Sequence, residues 1–447
     1  MRGHKRAVGI LLLGAVAASG VFIPSHPPQG QAAPPEIYEK LEFFGEVLEL
    51  VRSNYVEKPD DAALIENAIE GMLAGLDPHS RYLTPDEAEE ERAHISGEFG
   101  GLGLEVTLED GVLKVVSVID NTPAERAGAL AGDSIIAVND EALEGLSLKK
   151  AERKLRGPVG ASITLTIGRK GAPEPITLTA VRDVVRIDPV VSRIEGDIGW
   201  IKIKTFENKH TAQALKDAVA NVQGTLGPRL AGYVIDLRNN PGGLLEEAVA
   251  VADALLGRGA IVITKGRSTS DTDRARAKHD DITGGKPLVV LINGGSASAA
   301  EIVAGALQDH KRAQVIGTRS FGKGSVQTVI SLGGKGALIL TTARYYTPSG
   351  RSIQATGIEP DYVVEPDLPA DLKRQLPLLS PLSEASLPRH LSATGSEQDG
   401  SLAYVPKEKD KDNQLAAAIA LLHGTLPGPI KENRSGQRTS TEVSRER

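Results

Sequence analysis

The segment Pro287–Thr328 constrains the fold more than any other, because it changes from strand to helix at a loop of small residues. Its apolar run up to Asn293, rich in Val, Ile and Leu, is typical of a strand buried on both faces. Apolar side chains then recur at helical spacing over Ala299–Leu307. Ser298 therefore lies at a strand-to-helix junction, beside N–H groups that have no helical acceptor.

The same order of elements occurs earlier in the chain. An apolar strand over Ala231–Leu237 is followed by a glycine loop ending at Gly242 and Gly243, and then by a helical pattern that starts at Leu244. Such alternation predicts a parallel sheet covered by helices, with ligands bound at the carboxyl ends of the strands. We expect both glycine-rich loops at that edge, where their N–H groups could stabilise an oxyanion.

Ser298 has two interpretations. With Glu301 it fits a capping box, in which the hydroxyl only completes the helix start. It also fits a nucleophile, provided that a base is at hand. None of the nine histidines lies in a convincing catalytic setting, and the chain has no cysteine, which excludes a thiol nucleophile and a Cys-based metal site.

Lys323 is the candidate base, because burial favours the neutral amine that can accept a proton. It lies between Gly322 and Gly324 with no acid nearby in sequence, and Gln327 is an uncharged candidate to orient the amine. The alternative is a solvated loop lysine. We expect no metal and no cofactor.

The amino terminus carries basic residues before an apolar run, Ala7–Ile23, which is typical of a secretory signal or a membrane anchor. Prolines follow the run. We therefore expect a periplasmic or extracytoplasmic protein, either released or anchored in the inner membrane. The net charge of −7 gives no basic field for nucleic acid.

Two amphipathic helices are predicted next, over Glu36–Tyr55 and Ala62–Leu76. The apolar face of the first consists of Ile37, Leu41, Phe44, Leu48 and Val51. This helix either joins two copies of the chain or packs on its own body.

The region from Glu98 to about Arg182 resembles a PDZ domain of the circularly permuted bacterial type, on the order of its strands and on two short motifs, Pro123–Gly128 and Gly132–Ile135. The resemblance implies that Gly101, Leu102, Gly103 and Leu104 bind the carboxylate of a peptide's C terminus, while the peptide adds as a strand. Arg156, after the module's helix, is either a second substrate contact that couples the module to the catalytic body or an ordinary helix-end charge.

The whole pattern resembles the carboxyl-terminal processing, or tail-specific, protease family, on the segments Asp236–Gly243, Gly295–Ile302 and Gly317–Gln327 and on the spacing of Ser298 and Lys323. The resemblance runs from about Tyr38 to Pro366. It implies a serine endopeptidase with the following assignments: Ser298 as nucleophile, Lys323 as general base, Gln327 as its orienter, and Ala299, Gly242 and Gly243 as oxyanion donors. Its implied partners are protein substrates bound by their C-terminal tails. A second copy of the chain, joined through the amino-terminal helices, and an adaptor protein are possible further partners.

The expected fold is multi-domain, with amino-terminal helices and a PDZ domain placed before a crotonase-like α/β protease core. We expect a signal or anchor with its linker over 1–35, helices over 36–95, the PDZ domain over 96–185, the protease core over 186–366, and a partly disordered extension over 367–447. Two alternatives remain at this point: a PDZ scaffold with an inactive protease body, and a crotonase-like acyl-transfer enzyme.

Overall fold

A computed structural model describes residues 23–24, 35–96, 99–109, 111–118, 122–146, 148–185, 188–268, 270–375 and 383–426. The signal or anchor run lies outside this part except for Ile23, and so does the predicted disordered tail from Arg434. Among the described residues, no helix is long and apolar enough to cross a membrane.

The amino-terminal region contains both predicted helices and further elements that the sequence analysis did not predict. Its helices and strands are β1 (Ile23–Pro24), α1 (Pro35–Asn54), α2 (Asp61–Ala74), β2 (Arg81–Leu83) and α3 (Pro85–Ser96). The Asp60 side chain caps α2 by accepting N–H groups of its first turn. The short strand β2 belongs to a sheet of the protease body, because it pairs with a strand of that body described below.

The next module has the strand order expected of the PDZ resemblance. Its elements are β3 (Phe99–Gly101), β4 (Leu104–Glu109), β5 (Val112–Val118), α4 (Pro123–Arg126), β6 (Ser134–Val138), β7 (Glu141–Ala142), α5 (Leu148–Leu155), β8 (Ser162–Gly168), β9 (Ile176–Val181) and β10 (Asp183–Val185). Strands β4, β5, β6, β8 and β9 form one sheet in that order, so β4 is an edge strand, and α5 packs beside it. Strands β3 and β10, where the chain enters and leaves the module, pair with each other in antiparallel register.

The protease body contains a largely parallel sheet. Its order is β11 (Val190–Glu195), β12 (Ile198–Ile203), β13 (Gly232–Asp236), β16 (Leu288–Ile292), β17 (Gln314–Gly317) and β20 (Tyr362–Val363), and only β11 runs antiparallel to its neighbour. Helices α6 (Thr211–Leu226), α7 (Leu245–Leu256) and α8 (Ala299–Asp309) cover one face. Helix α10 (Asn413–Leu422) covers the other face, so the predicted two-sided burial is confirmed.

A second sheet of the body has the order β1, β18 (Ser325–Ser331), β19 (Ala337–Tyr346), β14 (Gly259–Lys265) and β15 (Thr272–Ala277), with β2 paired to β19. The charged segment around β15 was not predicted to be a strand. Its side chains are largely exposed, so it carries no hydrophobic alternation to mark it.

The C-terminal extension also contributes buried contacts to the body. Besides the short helix α9 (Ala370–Gln375), residues 383–426 contain Glu384, Asp412 and Gln414, all of which are buried. Asp412 and Gln414 both accept hydrogen bonds from Arg238, which follows β13. This segment is therefore packed into the core and holds the start of a glycine loop.

Candidate active site

Ser298 joins β16 to α8 in a conformation that few residues adopt. Its φ of +52° is in the region that normally favours glycine, and its side chain is fully buried. The hydroxyl makes no hydrogen bond within the described part of the chain. A buried polar group without a partner is costly, so its presence at a strained junction is typical of a functional site.

The neighbouring Ser296 shows what a structural serine looks like in the same loop. Its Oγ accepts the N–H of Asn293 at 3.0 Å and donates to the Leu237 carbonyl at 2.8 Å. Ser298 and Glu301 do occupy the positions of a capping box, and the Ser298 N–H donates to Glu301 Oε2 at 2.8 Å. The capping box explains Glu301, and the Ser298 side chain lies at the matching position toward the Glu301 N–H, although its Oγ completes no hydrogen bond among the described residues.

The two glycine loops meet at Ser298, as the sheet topology predicted. A methyl group on Gly242 would lie 2.8 Å from Ser298 Cβ and 3.0 Å from the Ala299 nitrogen, which leaves room only for glycine. Of the two glycines predicted as oxyanion donors, Gly242 donates its N–H to Asn240 Oδ1 at 2.9 Å. The N–H groups of Gly243 and of Ala299, in the first turn of α8, have no acceptor in the described part of the chain.

Glu301, which the capping-box pattern predicts only as a helix cap, is also a site residue. Its Oε2 accepts the N–H groups of Ser298 and Lys323 at 2.8 and 2.9 Å. Its Oε1 accepts the Ser320 hydroxyl and the Gly322 N–H at 2.6 and 2.7 Å. One buried carboxylate thus ties the serine loop to the lysine loop, and its burial raises its pKa to about 7.

Lys323 lies in that second loop, partly buried between its glycines. Burial lowers the pKa of its amine, and the positive charge of Arg81 adds to the effect. The sequence showed no acid near Lys323, but the fold brings the carboxylates of Glu384, Glu301 and Asp77 close enough to oppose the shift. Burial has the larger effect, so the pKa of Lys323 is lowered, as a general base requires.

Gln327 lies on β18 and is buried. Its Nε2 donates to Ser325 Oγ at 2.9 Å and to Thr341 Oγ1 at 3.1 Å, while its Oε1 has no hydrogen-bond partner among the described residues. The Ser298 hydroxyl and the Lys323 amine likewise form no hydrogen bond with each other there. Glu301 therefore connects the backbones of the serine loop and the lysine loop, while the Ser298 hydroxyl and the Gln327 Oε1 atom form no hydrogen bond with the described residues.

The predicted peptide site of the PDZ module is compact. Gly101 ends β3, Leu102 is buried in the module's core, and Leu104 starts the edge strand β4. Gly103 has a φ of +80°, and a methyl group there would lie 2.3 Å from Thr122 Cβ. Glycine is thus required in this loop by the backbone conformation as well as by packing.

Arg156 follows α5, next to a residue that is bonded to the glycine loop. The adjacent Gly157 N–H donates to the Gly100 carbonyl at 3.1 Å, which ties the end of α5 to the glycine loop. Arg156 itself lines a cavity together with Arg81 and Glu91 of the amino-terminal region. Its surroundings therefore favour a role between domains over direct carboxylate binding.

Comparison with known proteins agrees with this architecture. The model for "Peptidase family S41" matches residues 197–364, that for "PDZ domain" matches 114–169, and that for "Activating protease CtpB N-terminal domain" matches 23–87. The chain is 50% identical over 392 residues to a carboxy-terminal-processing protease of Bartonella bacilliformis, covering 87% of this chain and 89% of that protein.

The chain is also similar to two further proteins. The carboxy-terminal processing protease CtpA of Bacillus subtilis is 35% identical, over 83% of this chain and 81% of that protein. Among solved structures, the photosystem II D1 C-terminal processing protease is 33% identical, with a TM-score of 0.44 over 74% of this chain and 95% of that chain. Because the chain is 50% identical to one carboxy-terminal-processing protease over most of its length and matches the family models, it belongs to peptidase family S41, among the carboxy-terminal-processing proteases, and is a serine-type peptidase with a PDZ domain.

Proposed function

We propose that this protein is an endopeptidase that cuts extracytoplasmic proteins near their C termini with a dyad of Ser298 and Lys323. The observation that carries the proposal is the unbonded, buried hydroxyl of Ser298 at a positive φ, next to a serine whose hydroxyl is fully bonded. The lowered pKa of Lys323 supports its role as the base.

The proposed chemistry proceeds through an acyl-enzyme. Ser298 Oγ bonds to the scissile carbonyl carbon while its proton passes to the neutral Lys323 amine, and the carbonyl oxygen becomes an oxyanion. The N–H groups of Ala299 and Gly243 stabilise this oxyanion. When the C–N bond breaks, the lysine gives the proton to the departing amine, and water then cleaves the ester by the same route.

Gln327 acts as the orienter of the lysine. A neutral amide can accept a hydrogen bond from the amine without adding a negative charge that would hold the proton there. The open Oε1 supports this role, because it is the one hydrogen-bonding position of the side chain that the described residues leave unused.

Tail recognition is assigned to the PDZ module. Strand β4 is an open sheet edge beside α5, and such an edge can accept a peptide as an added strand. The loop Gly101–Leu104 at its start is the candidate carboxylate site. Arg156 is proposed to couple a bound tail to the protease body, on the grounds that it lines the cavity shared with Arg81 and Glu91.

The protein is proposed to work outside the cytoplasm, in the periplasm, on the grounds of the basic residues and the apolar run at its amino terminus. It is further proposed to pair with a second copy through α1. Ile37, Leu41, Phe44 and Val51 are all exposed in the single chain, which argues against the alternative that this face packs on its own body. Leu41→Glu should then reduce the mass seen in sedimentation, whereas an unchanged mass would exclude this face.

The dyad is tested with a fluorophosphonate probe and a tailed protein substrate on the full chain. Wild type should be labelled at Ser298 and should cut the substrate, while Ser298→Ala should do neither. Amidation of the substrate's C terminus should raise KM. Absence of both labelling and cleavage in wild type would indicate an inactive body on a PDZ scaffold, and equal cleavage of free and amidated tails would remove the tail-reading role.

A further inference from the structure

The turn between α2 and β2, Asp77–Ser80, is fixed against the protease body. Asp77 and Ser80 are buried although both are polar. Asp77 Oδ1 accepts the N–H groups of His79 and Ser80 at 2.8 and 2.9 Å, and Oδ2 accepts the Ser80 hydroxyl at 2.8 Å. Ser80 Oγ in turn accepts the Thr341 N–H at 3.1 Å, so the turn is bonded directly to β19.

A hydrogen-bond chain runs from this turn to the lysine's proposed orienter. The Thr341 hydroxyl donates to Asp77 Oδ1 at 3.1 Å, and Gln327 Nε2 lies 3.1 Å from the same hydroxyl. A register shift between Val326 and Gln327 places Gln327 directly opposite Thr341 in the β18–β19 pair. Three segments far apart in sequence are thereby connected.

The direction of this chain is set by chemistry. A carboxylate has no hydrogen to give, so the single hydroxyl hydrogen of Thr341 is committed to Asp77. Toward Gln327 the hydroxyl can then only accept, which requires the NH2 group of the amide on that side. The carbonyl oxygen of Gln327 must consequently occupy the other side, where it is buried and open.

We propose that Asp77 and Thr341 are positioning residues for catalysis. They orient the Gln327 amide so that its carbonyl oxygen accepts a hydrogen bond from the Lys323 amine. This inference rests on the proposed Ser–Lys dyad. Asp77 is among the charges that act on the Lys323 amine, which supports the closeness of the chain to it. A reversed amide would present N–H groups to the lysine; these would disfavour the ammonium, and they would donate to the lone pair with which the neutral amine accepts the serine proton.

The test compares Thr341→Val with Thr341→Ser in the full chain. Valine keeps the shape but removes the hydroxyl, so the amide is free to reverse. We expect kcat to fall by roughly tenfold or more with KM unchanged, and the acidic limb of the pH–rate profile to move to lower pH. Serine keeps the hydroxyl and should restore both values.

A matched control is Thr342→Val, which removes an exposed hydroxyl that bonds Thr328 across the same two strands. It should leave kcat and the pH profile unchanged. The charged groups that act on Lys323 (Glu384, Arg81, Glu301 and Asp77) are all present in the Thr341 and Thr342 variants. Thr341→Val also removes a hydrogen bond to Asp77, so the comparison with Thr341→Ser, which keeps that bond, is the decisive one.

The possible outcomes separate this inference from the dyad itself. If Lys323→Ala keeps wild-type turnover, the dyad is wrong and the inference falls with it. If Lys323→Ala is inactive but Thr341→Val keeps both kcat and the pH profile, the dyad stands and the positioning role is refuted. A lowered kcat with an unmoved acidic limb would reduce Thr341 to a structural residue, and would likewise refute it.

Discussion

The buried carboxylate of Glu301 offers the sharpest quantitative test, through Glu301→Gln. In wild type, the two carboxylate oxygens accept four donors, of which three are backbone N–H groups. The glutamine side chain has only one oxygen that can accept hydrogen bonds. Its NH2 group must face the Ser320 hydroxyl, because this hydroxyl can rotate and accept a hydrogen bond, whereas the three backbone N–H groups cannot. The Gly322 N–H on that side then loses its acceptor, which costs about 1–3 kcal/mol.

This cost should depend on pH, because only wild type titrates at the position. Burial raises the pKa of Glu301 from 4.5 to about 7. A carboxyl group whose pKa is higher in the folded state than in the unfolded state stabilises the fold. This stabilisation is complete at pH values below the unfolded-state pKa, and it is lost as the pH rises through the folded-state pKa. Between pH 5 and 8, wild type should lose about 2–3 kcal/mol through this group, whereas the variant loses none. The stability gap should therefore be about 1–3 kcal/mol near pH 8, where Glu301 is ionised, and wider by about 2–3 kcal/mol near pH 5.

Trp200 is the natural reporter, since it is the single tryptophan of the sequence and is buried in the protease body. Urea unfolding followed by its fluorescence, at several pH values, measures the gap. The exposed substitution Glu144→Gln serves as the control and should match wild type throughout. A gap that stays constant from pH 5 to 8, or one that widens, would refute the reasoning about Glu301.

Three further predictions concern the same body. Lys323→Arg should be as inactive as Lys323→Ala in a peptide-cleavage assay, because a guanidinium keeps its proton; an active arginine variant would place the base elsewhere. Gln327→Glu should move the acidic limb of the pH–rate profile to higher pH, since a carboxylate beside the amine holds it charged; a wild-type profile would contradict the orienter role. Asp412→Ala should destabilise the body by about 3 kcal/mol in urea, because buried Arg238 loses two charged hydrogen bonds, while exposed Asp410→Ala should be neutral.

Much of the core could be predicted from sequence because its signals are local. The apolar runs of β13 and β16 and the helical spacing after them correctly indicated two strand–loop–helix units. Their meeting point at Ser298 followed from the rule that parallel strands end at one edge. The motifs around Ser298 and Lys323 correctly indicated the family.

The site features that could not be predicted from sequence depend on contacts between segments that are distant in the chain. Glu301 looked like a cap because its bonds to the lysine loop exist only after folding. Asp77 looked like a helix end, although it bonds Thr341 on β19. The paired status of the Gly242 N–H was hidden as well, because its acceptor is set by the conformation of the loop.

The antiparallel pair of β3 and β10 has a consequence for protein engineering. Phe99 pairs with Val185, so the two ends of the PDZ module are neighbours about 5 Å apart at their Cα atoms. A gap of that size can be closed by a tight turn of a few residues. The PDZ module can therefore be deleted, or replaced by another peptide-binding domain whose ends are adjacent. Every strand pairing in the two sheets of the protease body is kept in such a variant.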